Sequence, residues 1–175
     1  MRKISKENKR RILYALVILV GIGLDQLSKA LAVAFLKGEP SFPLWRGVLH
    51  LTYVENTGAA FGMLKDHRWV FLVFSTIAIL LLGAYLFRGV SYLSDKREDG
   101  TYPPIGALAG VALALIVSGG IGNMIDRIFL GFVVDFIDFT LINFAVFNVA
   151  DSFVTVGAVL LVVHLLLPFF KKKKA

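Results

Sequence analysis

Residues 12–36 read ILYALVILVGIGLDQLSKALAVAFL, an apolar run interrupted near its far end by Asp25, Gln26 and Lys29. At a helical rise of about 1.5 Å per residue, roughly 20 residues cover the hydrocarbon of a bilayer, so this run is long enough to span one. Three more runs of similar length follow, at 69–87, 105–125 and 152–170. The whole chain of 175 residues is 57% apolar and only 18% charged. Its mean hydropathy is +0.76. A soluble globule of this size could not bury so much hydrocarbon, so lipid is the solvent for most of the chain. That excludes a soluble enzyme and a disordered tail. The net charge of +7 does not point to nucleic acid, because the basic residues crowd the two ends rather than striping one face. With no cysteine, the chain has no disulfide, no thiolate nucleophile and no Cys-based metal site or lipid anchor.

The first run follows a basic leader and contains Ala32-Val33-Ala34, features of a cleavable secretory signal. The polar interruption at Asp25, Gln26 and Lys29 falls where such a signal is uniformly apolar, which argues for a retained span. Charge then orients the bundle. Six Lys and Arg precede the first run, three lie between the second and third, and four end the chain, against four and one in the opposite connections. Thirteen against five puts both termini in the cytoplasm, which requires an even number of crossings and agrees with four. The fold expected is an all-α membrane protein of four transmembrane helices, a single integral domain over 1–175. The connection 88–104 reads as a solvated loop. The exterior segment 37–68 carries Val48-Leu49-His50-Leu51-Thr52-Tyr53-Val54, whose β-branched and aromatic residues predict a small β-containing platform at the headgroups. The second exterior segment, 126–150, reads as an interfacial stretch.

A carboxylate at membrane depth costs several kcal/mol unless it is paired, protonated or facing a wet cavity. Asp25 lies about 20 Å from the cytoplasmic start of its span. Asn123 and Asp126 finish the third span, Asn148 and Asp151 precede or open the fourth, and Asp135 and Asp138 lie between them, so three spans deliver polar groups to one exterior depth. Asn148 and Asp151 suit a helix cap, Asp126-Arg127 suits an ion pair or interface anchor, and Asp138 suits a wet face. Asp135, flanked by Val133-Val134 and Phe136-Ile137, has no such ready explanation. His50, His67 and His164 lack metal-ligand spacing, and the glycines at 106, 110, 119, 120 and 122 let helices approach closely. Serine, cysteine and zinc hydrolysis lack their parts. Two carboxylates sharing a site remain, one ionised to take a proton from water and one protonated to polarise a carbonyl, and Asp135 with Asp151 is the pair suited to it. A proton-conducting pair in a small transporter would present the same acids, although few polar residues, among them Tyr14, Thr155 and His164, mark a path to the cytoplasm.

Five segments together resemble the lipoprotein signal peptidase (signal peptidase II) family. They are Asp25-Gln26-Leu27-Ser28-Lys29, Val54-Glu55-Asn56-Thr57-Gly58-Ala59-Ala60-Phe61-Gly62, Gly119-Gly120-Ile121-Gly122-Asn123-Met124-Ile125-Asp126-Arg127, Val133-Val134-Asp135-Phe136 and Phe147-Asn148-Val149-Ala150-Asp151-Ser152. The resemblance implies an intramembrane aspartic endopeptidase of the bacterial cytoplasmic (inner) membrane. Such an enzyme removes signal peptides from prolipoproteins by cleaving before the diacylglyceryl-modified cysteine, with its active site near the exterior face. It places the catalytic dyad on Asp135 and Asp151, with Asn56, Gly58, Asn123, Asp126, Arg127, Asn148 and Ala150 lining or bracing the site and Asp25 with Lys29 holding the first span against it. It implies no metal and no cofactor, membrane lipid and prolipoproteins as partners but no nucleic acid, a monomer, and inhibition by globomycin-like cyclic peptides. Presenilin-type proteases are a poorer match, because Gly21-Ile22-Gly23-Leu24-Asp25 carries one residue too many for their GxGD motif.

The charge count is directly testable. Single cysteines introduced at Ser5, Asp99 and Lys174 should react with an impermeant thiol reagent only from the cytoplasmic side, and one at Lys65 only from outside. Reaction of the Lys174 probe from outside would mean an odd number of crossings.

Overall fold

A computed structural model describes residues 5–58, 68–89, 100 and 105–172. The end of the second motif, Ala59-Ala60-Phe61-Gly62, most of the connection 88–104, His67, Lys173 and Lys174 lie outside the described residues. In chain order the elements are α1 (Lys6–Leu36), β1 (Phe42–Trp45), β2 (Leu49–Asn56), α2 (Arg68–Arg88), α3 (Ala107–Phe129), β3 (Val133–Asp138) and α4 (Val149–Lys172), with a short 3-10 turn at Thr140–Ile142 before α4. Among the described residues three helices are long and apolar enough to cross a membrane, over Lys6–Leu36, Ala107–Phe129 and Val149–Leu167; the apolar part of α2 is the shorter Leu72–Arg88.

α1 begins where Ser5 accepts a hydrogen bond from the Asn8 N–H at 3.1 Å, so the basic leader from Lys6 onward is already helical. Its buried residues are Tyr14, Ile18, Gly21, Asp25, Lys29 and Ala32. Steps of three and four make them one stripe, and the polar pair lies on it rather than facing lipid. That stripe rests on α3, the central helix, which also packs against α2 and α4. Close packing depends on glycine. A Cβ on Gly110 would overlap the Tyr14 ring, one on Gly119 the Ala150 carbonyl, and one on Gly122 the Asp25 carboxylate. The inner apolar core gathers Tyr14, Ile18, Leu86, Leu113, Ala114 and Val117, while Leu19, Phe74, Leu80 and Val159 point outward as a bilayer would require.

The strands form one antiparallel sheet in the order β1-β2-β3. β1 and β2 are the expected hairpin, turning through Gly47 at φ 73°. β3 is a strand that the reading of 126–150 did not give, and it enlarges the expected β platform to three strands beside a mostly helical frame. Val133–Asp138 pairs with β2, setting Val54 opposite Asp135 and Asn56 opposite Val133. Val134 and Phe136 pack onto Ala32 of α1. Both faces of β3 are therefore covered from Val133 to Phe136, which is why apolar residues flank Asp135 on each side. The helix bounds shift as well. α3 continues one turn beyond 125 and so carries Asp126 and Arg127 within it beside Asn123, and α4 starts at Val149 rather than 152, which draws Asp151 into its first turn.

Candidate active site

Lys29 is the point from which the polar cluster is built. Its ammonium lies 2.9 Å from Asp25 Oδ2 and 3.1 Å from Asp126 Oδ2, and it donates to Asn123 Oδ1 at 2.9 Å. Three acceptors match its three N–H bonds, which is what a buried ammonium needs. The two carboxylates reach further. Asp25 Oδ1 accepts the Ala150 N–H at 2.9 Å, and Asp126 Oδ2 accepts the Val134 N–H at 3.0 Å. Gln26 donates to both acids, at 3.1 Å each, and to the Gly122 carbonyl. One buried group of charges thus ties α1 to α3, to the start of α4 and to β3.

Asn123 passes that order on. With its oxygen taken by Lys29 and by Asn148 Nδ2 at 3.0 Å, its Nδ2 is turned to Asp151 Oδ1 at 2.7 Å. Asp151 and Asn148 also cap α4 reciprocally. The Asp151 N–H donates to Asn148 Oδ1 at 3.0 Å, and the Asn148 N–H donates to Asp151 Oδ2 at 3.2 Å. The capping role read from sequence is therefore real, and it leaves Asp151 facing the cleft. Asn148, fully buried, donates from Nδ2 to Asp135 Oδ1 at 2.6 Å, while Asn56 donates to Asp135 Oδ2 at 2.8 Å. The Asn56 oxygen accepts the Gly58 N–H at 3.0 Å, which fixes the turn after β2. Each aspartate thus receives hydrogen bonds on both oxygens.

Asp135 and Asp151 face one cleft of about 500 Å³, together with Asn56, Asn123 and Arg127. An outer cavity of about 480 Å³ continues it past Gly58 and shares Asn56, Asp135 and Phe144. Arg127 reaches across, donating to the Gly58 and Asn123 carbonyls at 3.3 Å each. Of the residues expected at the site, Asp25, Lys29, Asp126, Asn148 and Ala150 do not line the cleft but stand behind it, holding those that do. Asp126 pairs with Lys29. Asp138 lies further along β3 and accepts the Thr52 hydroxyl at 2.8 Å. The residue that sequence reasoning left out of the site is Gln26. Its signal was the one used for Asp25, a polar side chain in the middle of an apolar span. A second omission is the tether of Lys37 and Glu55, 2.9 Å apart, with the Tyr53 hydroxyl donating to Glu55 at 3.0 Å. That pairing raises the Lys37 pKa and lowers that of Glu55, and it anchors β2 just before Asn56.

Burial pushes the Asp135 carboxyl from its ordinary 3.8 up to about 6, and the charge of Asp151 adds to the rise, against the hydrogen bonds from Asn56 and Asn148. Two carboxyls facing one cleft with a single proton between them can act as an acid and a base at the same pH.

The fold is that of a membrane-embedded protein with two aspartates facing one cleft, and known membrane proteins share the fold. The family model described as Signal peptidase (SPase) II matches residues 17–167. The lipoprotein signal peptidase of Clostridioides difficile (strain 630) is 41% identical over 162 residues, which is 93% of this chain and 99% of that protein. That of Streptococcus pyogenes serotype M5 (strain Manfredo) is 40% identical, covering 89% and 94%. A solved bacterial membrane enzyme, determined by the in meso method at 2.3 Å resolution, superposes with a TM-score of 0.76 at 31% identity, covering 93% of each chain. This chain belongs to the signal peptidase II family of proteases, and it is a multi-pass membrane protein.

The Asp135 environment predicts a pH signature in stability. A carboxyl whose folded pKa is raised stabilises the fold while protonated, and that contribution is lost as pH rises from its unfolded value through about 6. In detergent, the thermal midpoint of wild type should therefore fall relative to Asp135→Asn between about pH 4 and about pH 7, and the gap should level off above that. A gap that stays constant across this range, or grows in the opposite sense, would contradict the assignment.

Proposed function

We propose that the chain is an aspartic endopeptidase with Asp135 and Asp151 as its catalytic dyad. As a signal peptidase II it is a hydrolase of lipoprotein processing, which removes signal peptides from prolipoproteins. The observation that carries the finer reading is the cleft in which these two acids meet, each held on both oxygens by amide donors, while Asp25 and Asp126 are spent on Lys29.

In this reading Asp151 enters as the carboxylate. It sits in the first turn of α4, where free N–H groups favour an anion. Asp135 enters protonated. Asp151 takes a proton from a water in the cleft as the water oxygen adds to the scissile carbonyl, and Asp135 gives its proton to the developing oxyanion. The resulting tetrahedral diol collapses: the C–N bond breaks, the proton held by Asp151 passes to the leaving nitrogen, and Asp135 recovers its proton from the diol. No metal enters any step, and among the described residues no three acids or histidines are grouped as ligands would be. The bond cut is the one before a diacylglyceryl-modified cysteine. That lipid lies at the outer leaflet of the bacterial cytoplasmic membrane, and the sheet, with Trp45 and Phe42 exposed on its edge strand, suits the headgroup level beside it. The geometry is set in a single integral domain, 1–175, of four spans with α2 as the second, both termini cytoplasmic and the dyad on the exterior side. Asn56, Gly58, Asn123 and Arg127 bind substrate or shape the cleft, and Asp25, Lys29, Asp126, Asn148 and Ala150 brace it. The enzyme acts as a monomer, and a globomycin-like cyclic peptide blocks it by lodging between the aspartates.

Purified protein incubated with a diacylglyceryl-modified prolipoprotein should yield the shortened product with a chelator present. Asp135→Asn and Asp151→Asn should each cut the rate by at least about 10²–10⁴-fold while still inserting in the membrane, since Asn keeps the shape but cannot exchange a proton. Asp138→Asn should stay within about threefold of wild type, because its carboxylate bonds across the sheet to Thr52, away from the cleft. Turnover by either dyad variant near the wild-type rate would exclude the assignment.

A further inference from the structure

Along α4, three polar side chains line the cleft: Asp151, Ser152 and, one turn deeper, Thr155. Residues four apart on a helix share a face, so Thr155 lies beneath Asp151. The opposite side of α4 is closed, because Gly157 sits against the Ala112 carbonyl and Ile116 of α3. The Ser152 hydroxyl is engaged, donating to the Asn148 carbonyl at 3.0 Å. The Thr155 hydroxyl is exposed to the cleft and makes no hydrogen bond to any described residue. Its neighbours Phe153, Val154 and Val156 are apolar, as is the helix beyond as far as Val163. A free hydroxyl at this depth is unfavourable unless something brought into the cleft completes it.

The substrate of the proposed reaction brings such a group. A dyad can attack only an extended backbone, so the signal helix must open beside the scissile bond. Opening frees backbone carbonyls and N–H groups that water cannot reach in hydrocarbon. On the outer side of the dyad, Asn56 and Arg127 have polar atoms near the path of the chain. On the inner side, Thr155 is the cleft-lining hydroxyl with both donor and acceptor free.

We propose that the Thr155 hydroxyl hydrogen-bonds the opened backbone of the signal peptide, on the signal-peptide side of the scissile bond, and so positions that bond over Asp135 and Asp151. The proposal rests on the peptidase reading above and adds a substrate-binding residue to it.

The test compares Thr155→Val, which keeps the shape, with Thr155→Ser, which keeps the hydroxyl, on a diacylglyceryl-modified prolipoprotein. Thr155→Val should lose about tenfold in kcat/KM, equivalent to about 1.4 kcal/mol, and Thr155→Ser should stay within about twofold. Both should melt with wild type. A series of precursors, each with one signal-peptide amide replaced by an ester, should contain one that costs wild type a similar factor and costs Thr155→Val nothing further. A Val variant as active as a wild type that cleaves well would overturn the proposal alone, as would a Ser variant as poor as Val or ester and Val losses that simply multiply. A wild type without turnover on this substrate would instead remove the peptidase reading, and the Thr155 role with it.

Discussion

The buried ammonium of Lys29 is the contact on which the rest of this structure depends. It lies 2.9 Å from Asp25 and 3.1 Å from Asp126 at a depth where an unpaired charge would be prohibitive. Each acid paired with it also accepts a backbone N–H, Asp25 from α4 and Asp126 from β3. Removing one member of such a group costs more than the group contributes as a whole, typically about 3–5 kcal/mol, because the remaining charges stay buried. Its value is placement. The position of β3 and the start of α4, which carry Asp135 and Asn148-Asp151, are both fixed by oxygens of the same triad.

Close approach of the helices makes the triad possible. Gly122 leaves room for the Asp25 carboxylate, and Gly119 lets α4 descend until the Ala150 carbonyl touches α3. In lipid there is little hydrophobic gain in pressing one apolar helix on another, so small residues and interior hydrogen bonds must supply the cohesion. The glycines at 119 and 122 thus serve packing and site together. The same economy appears at Asn148. It caps α4, fixes Asn123 and holds Asp135 with one side chain, a density of use that explains why it is fully buried.

Much of the helical frame was legible because membrane spans announce themselves locally. The stripe Tyr14, Ile18, Gly21, Asp25, Lys29 and Ala32 has helical period and can be read without a structure. The aspartates could be singled out for a similar reason, since Asp135 and Asp151 sit where lipid should forbid charge. β3 was not legible, because a six-residue run with two aspartates among its apolar residues becomes a strand only through its partner, and that partner is β2, with Asn56 lying 79 residues before Asp135. Once the strand is seen, the flanks of Asp135 stop being puzzling: they cover a sheet, not a headgroup. Gln26 was overlooked because its neighbour Asp25 carried the charge that drew attention. Ala150 acts through its backbone N–H, which no side-chain pattern reports.

The proposed reaction needs one proton between the two aspartates, placed on Asp135 before water attacks. Infrared titration of the folded protein addresses that proton directly. Wild type should show a protonated-carboxyl C=O stretch that disappears as the pH is raised through about 6, and Asp135→Asn should lack that band while Asp151→Asn retains it at a shifted pH. The same band persisting unchanged in Asp135→Asn, or no carboxyl titrating near 6 in wild type, would contradict the account.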